Sequence, residues 1–185
     1  VEIMNGMFEG ASSFNQLIGD WNVSLVNSMT AMFEGATSFN QPLSSWNVSN
    51  VTQMNQMFKG ASNFNQPIGD WNTSSATAIH GMFNNAVNFN QPIGDWDTSS
   101  VTQIFEMFQD ASSFNQSISD WNLSNINNFN YIFRRADALS NLNKGLIYSS
   151  LSTNQNWPSI YDWSMYVNSA PTDLNSTAPL TIAEN

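Results

Sequence analysis

Side chains that carry oxygen recur at one spacing along this chain, and their chemistry suits hydrogen bonding to a ligand. Carboxylates come first in each set of three, carboxamides second and hydroxyls third. The three columns are Asp20, Asp70, Asp95 and Asp120, with Ser45 in the second copy; Asn22, Asn47, Asn72, Asp97 and Asn122; and Ser24, Ser49, Ser74, Ser99 and Ser124. We predict that they form a polar surface that binds a peptide or a glycan. Because Asx and Ser side chains also bond to nearby backbone, the columns could instead close turns and solvate a surface.

The same residues support metal binding and catalysis less well than they support hydrogen bonding to a ligand. Calcium takes about six to eight oxygen ligands, whereas Ser45 interrupts the Asp column and the next column is mostly neutral Asn. A Ca²⁺ ion shared between copies stays an alternative, but we expect no cofactor here and Ca²⁺ mainly in neighbouring domains. With no Cys and one His, His80, the chain lacks the usual residues of a zinc site or a nucleophilic triad. We therefore predict that the protein is not an enzyme.

The polar columns belong to a repeat of 25 residues that runs through most of the chain. Tryptophan marks the repeat at Trp21, Trp46, Trp71, Trp96 and Trp121. Five complete copies begin at Val1, Val26, Val51, Ala76 and Val101, and a sixth begins at Ile126 and then decays. A period of this length predicts a stack of similar units that bury their apolar faces on one another.

The third copy indicates which elements would hold the polar columns. Apolar residues between positions 51 and 61 recur at helical spacing, which predicts a short helix or 3₁₀ segment from about Thr52 to Lys59. Gly60 follows it at a position that suits left-handed backbone. Asn65 and Gln66, with their equivalents in other copies, are interpreted as a ladder that satisfies buried backbone groups.

The second half of each copy predicts a strand. Trp71 and Thr73 alternate with Asn72, so the indole is expected to face inward and the Asx and Ser side chains outward. We therefore predict an α/β repeat with one short parallel strand and one short helix or 3₁₀ segment per copy. Strands of successive copies would pair as a parallel sheet whose outer face carries the polar columns.

Composition and the C-terminal region complete the expected organisation. The net charge of −10 argues against nucleic acid and anionic membranes as partners, and no apolar run suits membrane insertion. We expect the repeat array over residues 1–136, a C-terminal helical cap over residues 137–168, and a linker that leads into a further domain over residues 169–185. The chain is expected to be part of a longer, multidomain protein.

The repeat VTQMNQMFKGASNFNQPIGDWNTSS resembles the unit of BspA-like leucine-rich-repeat surface proteins, also known as the Mycoplasma-lipoprotein-type repeat. That resemblance implies a right-handed leucine-rich-repeat solenoid in which Trp, Met and Phe replace the usual Leu and Ile. It also implies adhesion or surface recognition. Residues 171–185 resemble the entry strand of cadherin-like repeats, and this second likeness implies that Glu184 could ligate Ca²⁺ in a following domain.

These features together predict a ligand-binding or adhesive module of a secreted bacterial surface protein. Its partner would be a host or neighbouring-cell surface protein, a peptide or a glycan, and its location extracellular. The alternative is an architectural spacer without a ligand of its own, which should lack an exposed apolar or aromatic patch. Ice binding is a third hypothesis, weakened because Asp97 breaks the Asn column and its flanks are strongly hydrated.

Overall fold

Successive repeats stack as layers in the computed structural model, which describes residues 2–169. In the first layer the N–H groups of Met4, Gly6, Phe8 and Gly10 donate to carbonyls of the second layer over 2.7–2.9 Å. Equivalent residues make equivalent bonds at later interfaces. Each layer therefore corresponds to one copy of the sequence repeat, and the register between layers is set by backbone hydrogen bonds.

Each layer consists of consecutive turns and not of a helix and a strand. Within residues 2–169 the helices are α1, Asn141–Leu151, and two 3₁₀ helices, Ser159–Tyr161 and Ser164–Ser169. Parallel pairing there is limited to isolated bridges at one residue per layer, which are Ile3, Ser28, Gln53, Ala78 and Gln103. No sheet forms in this part of the chain, so the predicted α/β leucine-rich-repeat solenoid is wrong.

The helix predicted from Thr52 to Lys59 does not form because Gln56, in its middle, has left-handed backbone with a φ of 59°. A right-handed helix needs negative φ at every residue. The chain instead closes two overlapping turns, one from Met54 to Met57 and one from Gln56 to Lys59, through bonds of 3.2 and 3.1 Å. The equivalent left-handed residues in other layers are Gly6, Ala31, Gly81, Glu106 and Tyr131.

The left-handed geometry predicted at Gly60 is confirmed by a φ of 69°. The equivalent residue is left-handed in all the remaining layers as well, at Gly10, Gly35, Asn85, Asp110 and Arg135. Each layer thus contains two left-handed residues four positions apart. Together they turn the chain sharply where a helix would have continued straight.

The strand predicted around Trp71 and Thr73 is flanked by turns that leave it too short to pair. The Trp71 N–H donates to the Ile68 carbonyl at 3.3 Å, and the Ala76 N–H donates to the Thr73 carbonyl at 2.8 Å. The predicted alternation of sides is confirmed, since Trp71 and Thr73 are buried and Asn72 between them is exposed. The polar columns therefore face outward, but from a row of turns and not from a sheet.

Two columns of phenylalanine rings form the centre of the core. Within the third layer, Phe58 and Phe64 stack with ring centroids 3.9 Å apart. Phe58 also stacks on Phe83 of the next layer at 5.8 Å, and Phe64 on Phe89 at 6.2 Å. All four rings are fully buried. Continuous aromatic packing of this kind ties each layer to both of its neighbours.

Tryptophan forms a third column, and the prediction that the indoles face inward is confirmed from Trp46 to Trp121. Trp71 and Trp96 stack with centroids 6.3 Å apart. Each indole also needs a partner for its N–H once it is buried. The Trp71 Nε1–H donates to the Leu43 carbonyl of the preceding layer at 3.0 Å, and the other buried indoles of the column make the equivalent bond.

The predicted Asn and Gln ladder is confirmed as a structural feature. Oδ1 of Asn65 accepts from the Asn90 N–H at 2.9 Å and from the Gln91 side chain at 2.9 Å. The same pair of bonds joins the other layers from Asn15 to Asn115. Each Asn side chain therefore satisfies backbone and side-chain donors of the next layer.

The C-terminal segment covers the last layer and takes over some bonds that another layer would make. The Phe133 N–H donates to the Tyr161 hydroxyl at 3.2 Å. The Asn143 side chain donates to Asn115 Oδ1 at 2.9 Å, which extends the Asn ladder into α1. Ser140 caps α1 by accepting from the Asn143 N–H. The domain boundaries after residues 136 and 168 stay predictions, and the cadherin-like likeness of residues 171–185, including Glu184, lies outside the described residues.

Candidate binding surface

The predicted site residues lie along one side of the stack, layer above layer. All of them are exposed except Ser24 and Ser49, which are half-buried. Because bridged neighbours lie about 4.8 Å apart, equivalent side chains follow one another at about that spacing. We call the second column, Asn22, Asn47, Asn72, Asp97 and Asn122, the Asx row.

Each side chain of the Asx row is held by the serine two residues further along. Oδ1 of Asn72 accepts from the N–H and the hydroxyl of Ser74 at 3.2 and 2.7 Å. Asp97 accepts from Ser99 in the same way at 3.0 and 2.6 Å. The other three layers repeat at least the backbone bond, through Ser24, Ser49 and Ser124. The turn-closing interpretation of these two columns is therefore confirmed.

Other polar atoms of the same columns stay free for contacts. Among the described residues, Nδ2 of each Asn in the Asx row has no hydrogen-bond partner, and neither have the carboxylates of Asp20, Asp70, Asp95 and Asp120. The side of the stack thus offers a line of amide donors next to a line of carboxylate acceptors. The hydroxyls of four serines, Ser24, Ser74, Ser99 and Ser124, are occupied in the turns, so these residues contribute to the geometry of the surface more than to its contacts.

The electrostatics of the surface are those of isolated exposed carboxylates. Within residues 2–169 no group of three or more His, Asp or Glu side chains is placed to hold a metal ion. Hydrogen bonds from the Ser99 side chain and N–H lower the pKa of the Asp97 carboxyl below its ordinary value. Asp97 therefore stays ionised and gives the Asx row its one negative side chain.

A polar groove that we did not predict lies where the Asx row meets the C-terminal segment. Its volume is about 460 Å³, and its polar lining consists of neutral amides and hydroxyls, including Asn122, Ser124, Asn154 and Gln155. Asn154 is anchored there, since its side chain donates to the Leu123 carbonyl at 2.7 Å. The run of amides at residues 154–156 was visible in the sequence. Only the fold shows that it lies beside Asn122.

Large exposed apolar side chains avoid the middle of the stack. Between residues 26 and 130 no large hydrophobic residue is exposed; those that are exposed lie in the first layer, the last layer and the C-terminal segment. In the described part of the chain, no helix combines the length and hydropathy needed to cross a membrane.

Comparison with known proteins identifies the chain through its repeats. No curated protein and no solved structure matches it. One family model, described as a Mycoplasma protein of unknown function, DUF285, matches residues 1–87 and again residues 66–160. The two matches together span the whole array of layers and reach past α1. The chain therefore belongs to this DUF285 family.

Proposed function

We propose that the stack is a non-catalytic binding module that recognises a protein, peptide or glycan at a cell surface. The contacts come from the Asx row and the Asp column, which follow an exposed side of the stack. The likeness of the repeat unit to that of BspA-like surface proteins supports the extracellular placement. Weak polar contacts that recur in register add up when a partner engages several layers at once.

One observation carries this proposal: the serines hold the Asx row in the same orientation in every layer. Because Ser74 donates twice to Oδ1 of Asn72, the carboxamide is fixed and Nδ2 is left as its free donor. A surface whose donors are already ordered loses little side-chain entropy on binding. An unordered polar surface would lose that entropy at each contact.

An architectural spacer is the second candidate, and a different observation favours it. Between residues 26 and 130 the stack exposes no large apolar side chain, which is the surface expected of a spacer. A binding surface in this region must therefore work through polar contacts alone. Glycan hydroxyls can donate to the carboxylates and accept from the amides of this surface, whereas an apolar peptide would find no apolar contact there.

The first experiment screens the purified chain on glycan and peptide arrays, with Ca²⁺ and with a chelator. The binding proposal expects at least one saturable ligand. Dependence on Ca²⁺ would indicate that the Asp column shares an ion between layers. A complete absence of binding under both conditions would contradict the proposal and leave the spacer.

The second experiment tests the Asx row by exchanging Asn for Asp, the residue that occurs at this position in the fourth layer. Asn47→Asp combined with Asn72→Asp removes two amide donors but keeps the Oδ1 acceptors, as Asp97 does naturally. We expect the affinity for an array ligand to fall about tenfold or more, since each lost contact is worth about 1 kcal/mol. The melting temperature should not change.

Asp97→Asn is the matched control, because it adds an amide donor at the same position of the next layer. Its affinity for the array ligand should equal or exceed that of the unchanged chain. Equal affinities in the unchanged chain and the double variant would show that a ligand binds elsewhere.

A further inference from the structure

A second groove, separate from the Asx row, lies between the last layer and the 3₁₀ helix Ser159–Tyr161. Its volume is about 380 Å³, and its walls are largely apolar. Tyr131 and Ile160 line it and are 52 % and 81 % exposed. Pro158 also lines the groove. Small-molecule sites have this size and this mixture of apolar walls with a few polar groups.

Arg134 gives the groove a positive charge in a protein of net charge −10. The chain has only four Lys and Arg residues, so the pairing of each one matters. Lys59 pairs with Glu34 at 2.8 Å, and Arg135 pairs with Asp110. Among the described side chains Arg134 pairs with no carboxylate, and its guanidinium instead lies 5.1 Å from the centre of the Tyr131 ring.

Tyr161 contributes a second donor to the same groove. Its hydroxyl oxygen accepts the Phe133 N–H at 3.2 Å, but its own proton has no acceptor among the described residues. Burial raises the pKa of Tyr161, while the Phe133 bond and the positive charge of Arg134 act in the opposite direction. The hydroxyl thus stays protonated and uncharged at neutral pH, and it lies near enough to Arg134 to feel the charge of the guanidinium.

We propose that this groove binds a small carboxylate that carries an apolar group. The Arg134 guanidinium and the Tyr161 hydroxyl donate to the carboxylate, because charge-assisted bonds from arginine suit its two oxygens. The apolar group lies against Tyr131, Pro158 and Ile160. This site is independent of the proposed function, since none of its residues belongs to the Asx row or the Asp column.

The test uses three probes that separate the two halves of the ligand. Phenylacetate has both halves, phenylacetamide lacks the charge, and acetate lacks the ring. Titrations followed by the backbone amide signals of Phe133 and Ile160 should give a dissociation constant on the order of 1 mM for phenylacetate. Phenylacetamide and acetate should each bind about tenfold more weakly or not saturate.

Variants test the charged side and the apolar side of the groove separately. Arg134→Gln should weaken phenylacetate about tenfold and leave phenylacetamide unchanged, because only the charged contact is lost. Ile160→Ser, at a side chain too exposed to support the fold, should weaken both probes. Lys144→Gln is the control, since Lys144 lies over Tyr166 and not in the groove.

Three results would overturn the proposal. Phenylacetamide could bind as tightly as phenylacetate, which would make the groove merely apolar. Arg134→Gln could leave the affinity for phenylacetate unchanged, which would place the carboxylate elsewhere. Phenylacetate could cause no saturable shift in the millimolar range, which would leave the groove without this ligand.

Discussion

His80 replaces the small polar residue that earlier layers carry at the fifth position of the repeat. The equivalent positions in earlier layers hold Asn5, Thr30 and Asn55, and the two Asn side chains accept hydrogen bonds from Thr30. His80 instead stacks on Phe105 with ring centroids 4.4 Å apart. Its Nδ1 is buried and has no hydrogen-bond partner in the described part of the chain.

The half-buried ring makes stability depend on pH. Burial lowers the pKa of His80 below 6.5, and the charge of Glu106 offsets part of that shift. The unfolded chain therefore binds a proton more readily than the folded chain does. The contribution of His80 to the free energy of unfolding is fully present above pH 6.5. It is lost as the pH falls through the lower pKa of the folded state.

We predict that His80→Asn reduces the loss of stability on mild acidification. Asn fits because it occupies the same position in the first and third layers, at Asn5 and Asn55. Urea unfolding of both proteins between about pH 7 and pH 5 measures the difference, in the range around the ordinary pKa of histidine. Equal losses in the two proteins would show that the His80 ring is hydrated in the folded state.

Single residues also show how far the site could be predicted. The Trp71–Ser74 pattern correctly places Trp71 inside and Asn72 outside, because inward and outward positions alternate in either a strand or a turn. The same spacing fits both a binding column and a turn-closing bond from Ser74 to Asn72. The orientation of the Asn72 carboxamide, which the spacing does not specify, assigns Oδ1 to the turn and leaves Nδ2 without a partner among the described residues. The groove beside Asn122 depends on contacts across about 30 residues, which no local pattern reveals.

At the scale of elements, apolar spacing was an insufficient guide. Overlapping turns and a helix both bring residues three apart onto one side, so positions 51–61 fitted both structures. The decisive residue is Gln56, whose left-handed backbone is unusual for its type. A signal existed in other copies, where Gly6 and Gly81 occupy the same position. Glycine in two of six copies indicates a left-handed position that the third copy alone conceals.

We predict that Gln56→Gly raises the free energy of unfolding by about 0.5–1 kcal/mol. Relief of left-handed strain, about 1–2 kcal/mol, outweighs the added freedom of the unfolded chain, about 0.4–1 kcal/mol. Equilibrium urea unfolding provides the measurement. Gln53→Gly is the matched control and should lower stability, because Gln53 lies in a parallel bridge with ordinary backbone. A destabilised Gln56→Gly protein would contradict the turn geometry.

At the scale of the whole molecule, the sides of the stack are polar, whereas the first layer exposes several apolar side chains. Among the described residues, five of the nine large exposed hydrophobic side chains belong to that layer, namely Ile3, Met7, Leu17, Trp21 and Leu25. Later layers bury the equivalent tryptophans under their neighbours. Exposed apolar surface favours association, whereas the net charge of −10 opposes it.

We predict that the chain of residues 1–185, prepared by itself, self-associates through the first layer as salt screens the net charge. Leu17→Ser combined with Leu25→Ser should keep it monomeric, since these side chains are 77 % and 71 % exposed. Sedimentation velocity at low and high salt measures the effect. Asn63→Ser combined with Asn88→Ser, at exposed positions on later layers, is the control and should associate like the unchanged chain. Equal association of the leucine variant would place the contact elsewhere.

The hydrogen bonds between layers have a mechanical consequence. They connect the units in series, so tension applied to the two ends of the array acts on every interface and the weakest interface opens first. Each unit that detaches frees 25 residues, which amounts to about 85 Å of extended contour length. A tether built this way lengthens in discrete steps and dissipates energy at each one, while the units that have not yet detached keep their shape.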